Sequence, residues 1–154
     1  MEIIRKAAAS DAFRLAEIEV FDYRRYFYPI FRTDDYFFKE LSVPALMEEY
    51  MTTPQKLEQS MVYDDGIIKG FIRVNGAEVE KLFVEPAFQG EGIGGLLLDR
   101  AVELTGADRL LVLEKNPSAI RFYERHGFFV TGERQRVDDT EEFFCIMRRR
   151  VTPD

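Results

Sequence analysis

The spacing of apolar positions along the chain marks a succession of elements. Glu2 to Lys6 reads as a short first strand. Ser10 followed by Asp11 predicts a helix start, the hydroxyl as N-cap and the carboxylate complementing the positive helix end. Phe13, Ala16, Ile18, Val20 and Phe21 then predict a helix to about Arg25. Pro29 removes a backbone donor and predicts a break, and residues 34–51 read as helical in parts, interrupted near Pro44. Met61–Tyr63 and Ile67–Val74 read as strands joined by the hairpin signal Asp64-Asp65-Gly66. Asn75-Gly76 makes a second tight turn into a strand over Val79–Val84.

Beyond Val84 the pattern changes. A proline and a turn lead into four glycines within six residues, Gly90, Gly92, Gly94 and Gly95. From Ile93 the positions Ile93, Leu96, Leu97, Ala101 and Leu104 predict one helix face, ended by Gly106. Arg109–Leu113 is a compact apolar strand. Asn116 and Pro117 suit the N-cap and first position of a short helix that Gly127 closes. Phe128–Thr131 and Glu142–Arg148 read as final strands around the charged turn 136–141. The order β-α-α-β-β-β-α-β-α-β-β predicts a mixed α/β fold, with a largely antiparallel sheet of about seven strands flanked by about four helices. No repeat, low-complexity run or linker divides the chain, so residues 1–154 are expected to form one domain.

Composition narrows the chemistry. A net charge of −7 and a pI near 4.9 argue against general nucleic-acid binding. One cysteine, Cys145, excludes an internal disulfide, and a single histidine makes a Cys/His zinc site implausible. Neither a signal-peptide core nor an 18-residue apolar run is present, so a cytoplasmic protein without a membrane span is expected.

Strand, glycine loop and helix in succession predict an anion site, the alternative being a structural turn whose glycines only satisfy tight geometry. The first turn of a helix has backbone N–H groups without partners, and its end is partly positive. Glycines let an anionic oxygen approach that backbone closely. Three phosphate motifs compete for the loop. A P-loop needs Lys and then Ser or Thr after its last glycine, but Gly95 is followed by three leucines. The dinucleotide fingerprint is matched by Gly90, Gly92 and Gly95, with Glu114 roughly 20 residues on. Yet residues 85–89 separate strand from first glycine, and only 59 residues follow Gly95, too few for a full dinucleotide fold.

The third motif is the run Gln89-Gly90-Glu91-Gly92-Ile93-Gly94, of the form Q/R-x-x-G-x-G. About 20 residues later come Asn116-Pro117-Ser118-Ala119, Phe122-Tyr123 and Gly127-Phe128. The pair resembles the pyrophosphate signature and the N-x-x-A-x-x-x-Y-x-x-x-G-F element of the GNAT superfamily of N-acetyltransferases. The resemblance covers Val79 to Phe128, about a third of the chain, and is similar to the family order throughout. It implies acetyl-CoA as cosubstrate, without a metal. Its pyrophosphate would lie on the backbone of Gln89, Gly90, Glu91, Gly92, Ile93 and Gly94. Its pantetheine arm would lie along Leu82, Phe83 and Val84, with Asn116 and Tyr123 beside it. The acceptor implied is a small-molecule or peptide amine, and the protein a monomer or homodimer.

Amine acetylation needs a base for the ammonium proton and an acid for the leaving thiolate. Glu78 and Glu80 lie two apart on the strand that feeds the loop, on one face if it is regular. Glu80 is the candidate base by its distance from Val84, with Glu78 in reserve; the alternative is an exposed face paired with Arg or Lys. Tyr123 is the candidate acid on the strength of the resemblance, the alternative being a core aromatic beside Phe122. His126, just before Gly127, suits the helix C-terminus structurally, and Cys145 reads as a small buried residue. Nine of the eighteen residues 21–38 are aromatic; they cap the core, and some are expected to line an acceptor pocket. Two other readings stay open: a non-catalytic CoA-binding regulatory module, and a nucleotide-binding oxidoreductase fragment.

Overall fold

The structure is a computed structural model, and it describes residues 3–150. Seven strands form one sheet in the order β1-β2-β3-β4-β5-β7-β6. They are β1 (Ile4–Lys6), β2 (Ser60–Asp64), β3 (Ile68–Asn75), β4 (Glu78–Val84), β5 (Arg109–Leu113), β6 (Phe128–Arg136) and β7 (Phe143–Arg149). The expected first-strand residue Glu2 lies outside the described residues.

Every neighbouring pair is antiparallel except β4 and β5. That parallel pair spans only Glu78 opposite Arg109 and Val79 opposite Leu110. Beyond it the two strands part, and a cleft opens between them. A doubly wound dinucleotide fold requires a mostly parallel sheet, so this topology removes the oxidoreductase alternative.

The helices are α1 (Ala12–Asp22), α2 (Tyr28–Phe31), α3 (Val43–Thr52), α4 (Gln55–Glu58), α5 (Ile93–Thr105) and α6 (Pro117–Arg125). The four expected helical regions are α1, α3, α5 and α6, while α2 and α4 are single turns. The sheet alternates its side chains between two layers, as strand period demands. On β3, Phe71 packs with Leu15, Ile18 and Leu46 on the α1/α3 side, whereas Ile72 packs with Leu97, Leu98 and Ala101 on the α5 side.

Several local expectations are corrected. Ser10 does not cap α1. A short 3₁₀ turn over Ala9–Asp11 precedes the helix, and the Asp11 carboxylate accepts from the Ala8 N–H at 2.7 Å and from Arg5 at 2.8 Å. Arg5 holds that carboxyl below its usual range, so the charged group outcompetes the hydroxyl. Pro29 does not break the helical run. Residues Tyr23–Phe27 form a wide π-type turn in which the Tyr28 N–H donates to the Tyr23 carbonyl, and Pro29 falls in the first turn of α2, where its missing donor is not needed. The run stops at Arg32, with φ of 54°. Pro44 likewise opens α3 rather than interrupting it, behind Ser42, whose Oγ accepts from the Ala45 N–H at 3.2 Å. On α5 the buried face is Ile93, Leu97, Leu98 and Ala101, whereas Leu96 and Leu104 are exposed.

β4 is also not regular. Arg73 pairs with Lys81 and Val74 with Val79, so Glu80 is the extra residue of a β-bulge. Glu78 and Glu80 therefore do not share a face by simple alternation.

Candidate active site

The parting of β4 and β5 makes a cleft of about 1460 Å³, walled by both strands, the glycine loop, α6 and the aromatic segment after α1. One wall is the free edge of β4. The Glu85 N–H donates to Lys69 on the β3 side at 2.8 Å, so the peptide groups of Val84, one residue earlier, face the cleft. The Val84 carbonyl is met there by Gln89 Nε2 at 3.0 Å. Leu82, two residues back, shares that orientation by strand period, and Leu82, Phe83 and Val84 all line the cleft.

Val84 leads into the glycine loop. Gly90 and Gly92 adopt φ of 83° and 82°, where side chains are disfavoured. A Cβ at either would meet no protein atom within 4 Å, so the space around the loop is open to a ligand. Gly92 is the N-cap of α5, and the first bond of that helix runs from Leu96 N–H to the Gly92 carbonyl at 3.1 Å. The amides of Ile93, Gly94 and Gly95 have no acceptor within the helix. This cradle fits a pyrophosphate group. Gln89, Gly90, Gly92, Ile93 and Gly94 line the cleft, and Glu91 is exposed beside it. Gly95 has another constraint, since a Cβ there would stand 2.8 Å from the His126 ring.

α6 forms the opposite wall. Asn116 caps it, Oδ1 accepting from the Ala119 N–H at 3.3 Å, with Pro117 at the first helical position. Asn116 and Tyr123 both line the cleft. The Tyr123 ring packs on Phe122 and Phe128, with centroids at 5.1 and 6.0 Å, and burial pushes its phenol above the ordinary range. The group is thus both a core aromatic and a protonated hydroxyl at the cleft wall. His126 is held by Asp99 of α5, Nδ1 to Oδ1 at 3.1 Å, and its ring packs tilted against Phe122. Cys145 is a half-buried free thiol pushed up by burial and by Glu114, away from the thiolate form.

The two candidate carboxylates stand in different surroundings. Glu78 is paired with Arg109 at 2.9 Å, whereas Glu80 on the bulge is exposed and has no ion pair among the described residues. Both line the cleft. Glu114, the ribose candidate of the dinucleotide motif, is engaged by Arg134 at 2.9 Å. Among the described residues no group of three or more His, Cys, Asp or Glu side chains is arranged to hold a metal.

Six of the nine aromatics in residues 21–38 reach the cleft: Tyr23, Tyr26, Phe27, Phe31, Tyr36 and Phe37. The Tyr26 hydroxyl donates to Gln89 Oε1, which ties this segment to the glycine loop. Tyr23 is gripped by Lys81, which also faces Glu19 at 3.8 Å.

Asp22 is among the cleft residues that the sequence does not single out. Asp22 is only 2% exposed, and its Oδ1 has no hydrogen-bond partner. The available signal was its spacing: Leu15, Ile18 and Asp22 follow one another by three and four residues, which puts an acid on the apolar face of α1.

With this geometry in place, relatives are informative. A curated relative, the peptidyl-lysine N-acetyltransferase YjaB of Salmonella typhimurium, is 40% identical over 70 residues, 46% of this chain and 48% of that protein. The match thus spans about half the length of this relative and of its Escherichia coli counterpart. Among solved structures, the PaiA N-acetyltransferase of Thermoplasma acidophilum in complex with coenzyme A matches with a TM-score of 0.69 at 22% identity, over 96% of this chain and 98% of that one. YncA of Salmonella typhimurium, a putative acetyltransferase with its cofactor acetyl-CoA, matches with a TM-score of 0.69 at 20% identity, over 98% and 96%. At such identities these structures establish the fold. The acetyltransferase (GNAT) domain model itself matches residues 22–143, most of the chain, and the chain therefore belongs to the GNAT acetyltransferase family.

Proposed function

We propose that the protein is an N-acetyltransferase that moves the acetyl group of acetyl-CoA to a primary amine by direct attack. The observation that carries this reading is the continuity of the free β4 edge with the glycine cradle. An extended, amide-bearing arm ending in a pyrophosphate matches that surface along its length. Val84 and Leu82 offer strand-type hydrogen bonds, and the amides of the first turn of α5 offer anion contacts. Asn116 and Tyr123 flank the same cleft. The cosubstrate supplies an activated thioester. The protein supplies orientation, a proton acceptor and a proton donor.

Glu80 takes the proton acceptor's part. It lines the cleft, no cation competes for it among the described residues, and the bulge turns it out of the regular alternation of β4. Glu78 is the reserve, since its carboxylate is already engaged by Arg109. Tyr123 takes the donor's part, its phenol kept protonated by burial. The acceptor is a cationic amine in solution, a class that includes the lysine side chain named for the Salmonella relative. The acidic balance of the chain and the aromatic lining of the cleft suit such a group.

The test is thiol release from acetyl-CoA, screened over polyamines, small amines, amino acids and lysine peptides. Turnover with at least one amine is expected. Binding of CoA without turnover on the whole panel would instead establish a non-catalytic CoA-binding module. With an acceptor in hand, Glu80→Gln is expected to lower turnover roughly 10²-fold near neutral pH, a deficit that shrinks as pH rises and more amine is free. An unchanged pH–rate profile would move the role to Glu78 or to solvent.

A further inference from the structure

The face of β3 and β4 that packs against α1 carries two cations. Arg73 of β3 and Lys81 of β4 stand opposite each other in the register, which sets their side chains on one face. Arg73 is 3% exposed and bonds only neutral groups: the Lys56 carbonyl at 3.3 Å, Ser60 Oγ at 3.2 Å and the Tyr50 hydroxyl at 2.5 Å. No carboxylate stands within ion-pair distance of it among the described residues. The buried acid on this side is Glu19 of α1, 3.8 Å from Lys81 and beyond hydrogen-bond reach. Glu49 is drawn off by Lys56 at 3.2 Å. Buried charges are ordinarily balanced, so two cations against one acid leave this place short of an anion.

Lys81 is where an anion from the cleft can be met. It is half-buried, it lines the cleft, and it follows Glu80 directly at the bulge of β4. The other lysine or arginine on the cleft wall, among the described residues, is Arg125 of α6. The Lys81 ammonium lies over the Tyr23 ring, 4.9 Å from its centroid, and donates to the Tyr23 hydroxyl, which leaves two of its three hydrogens without a hydrogen bond. Tyr23 accepts that bond and so directs its own proton elsewhere, with no acceptor for it among the described residues. Tyr36, an exposed residue of the same cleft, has a hydroxyl that is likewise unbonded among the described residues. Burial pushes its phenol up and Lys81 draws it back, which puts the two side chains within electrostatic reach.

Resting on the transferase reading above, we propose that Lys81, with the Tyr23 and Tyr36 hydroxyls, binds a carboxylate of the acceptor, so that the acceptor is an amine carrying a carboxylate, in the simplest case an amino acid. The ammonium and the carboxylate of one small molecule would be read by consecutive residues, Glu80 and Lys81, whose Cα atoms lie about 3.8 Å apart. Hydrogen bonds between charged groups are the strong ones, and a zwitterion makes one at each end. It also leaves the net charge of the site unchanged, which a polyamine does not.

The experiment measures kcat/KM for matched acceptors, each amino acid against its own C-terminal amide, over neutral, acidic, basic and aromatic side chains. The quantity read is the ratio within a pair, compared between wild type and variant, so that differences in amine basicity cancel. Lys81→Met is expected to lower that ratio about 10- to 100-fold, the scale of a hydrogen bond to a charged group, chiefly through KM. Lys81→Arg keeps the charge and is expected to retain most of the preference, and Tyr36→Phe to lose about threefold. Because Lys81→Met strands Glu19, the double variant Glu19→Gln/Lys81→Met is measured beside it. That variant removes both charges, and it is expected to fold and to show the same loss. Acetyl-CoA affinity, by calorimetry, is expected to stay near that of wild type in every variant. An unchanged ratio in Lys81→Met and in the double variant would overturn the proposal and leave acetyl transfer standing. So would a loss of acetyl-CoA affinity that accounts for the whole effect, which would make Lys81 a cosubstrate residue. Turnover confined to amines without a carboxylate would do the same. A wild-type protein that turns over no amine of either kind would overturn the transferase reading along with this one.

Discussion

Tyr123 and Asp22 show how burial sets the protonation state of a side chain at the scale of single residues. Desolvation disfavours the charged form of each, and neither has a cation to compensate. Tyr123→Phe keeps the ring that packs on Phe122 and Phe128 and deletes only the hydroxyl. Reduced turnover is expected with little change in acetyl-CoA affinity or melting temperature, and wild-type turnover where chemistry limits the rate would return Tyr123 to the core. Asp22 makes a separate thermodynamic prediction. Its folded pKa, about 8, lies far above the ordinary carboxylate range, so the native state holds the proton more tightly. The stability it contributes is full below about pH 4, falls as pH rises, and is gone above about pH 8. Asp22→Asn should melt higher than wild type at pH 9 and show a flatter dependence of Tm on pH; parallel Tm profiles would contradict this.

The residues differ in how legible they were. Asn116, Pro117 and the glycines announce themselves because few other residues satisfy a cap or a positive φ. Asp22 does not, because an acid on an apolar helix face carries no motif and its meaning depends on what packs across from it. Glu80 is an intermediate case. Its strand was readable from apolar content, yet the bulge that sets its direction arises from pairing with β3, and nothing in the local sequence encodes that shift.

At the scale of elements, the turns and the central strand–loop–helix unit were legible, since Asp-Gly and Asn-Gly turns and a change of apolar period are local signals. Proline was harder to place. Pro29 and Pro44 both occupy first-turn positions, where proline is tolerated, and the sequence does not show where a first turn lies until the neighbouring turn is known. The glycine loop carries its own prediction. Gly92→Asp would force an L side chain to φ of 82° and set a carboxylate among the free amides of the first turn of α5. The Cβ itself meets nothing, so a retained fold with lost CoA binding is expected by circular dichroism and calorimetry. Normal CoA affinity in this variant would remove the loop from the site.

For the whole molecule, the cleft is a large concave surface whose walls come from distant parts of the chain, from Asp22 to Phe144. A ligand that bridges those walls stabilises only the folded form. CoA at 100 times its Kd should add about 2.7 kcal/mol, which raises the Tm of a protein of this size by roughly 5–10 °C. The shift should be absent in Gly92→Asp; an equal shift in both proteins would mean that CoA binds elsewhere.

The two-residue parallel contact between β4 and β5 has a mechanical consequence. The sheet is two antiparallel plates, β1-β2-β3-β4 and β5-β7-β6, each drawn from its own stretch of the chain and riveted to the other at Glu78–Arg109 and Val79–Leu110. Apart from that rivet, the plates share one apolar cluster, in which Ile72, Val74 and Val79 of the first and Leu110, Val112 and Met147 of the second meet Leu97, Leu98 and Ala101 of α5. An arm lying in the gap would act as a removable splice between the plates. Occupancy would then set how stiffly the acceptor wall, on one plate, is held against Tyr123, on the other.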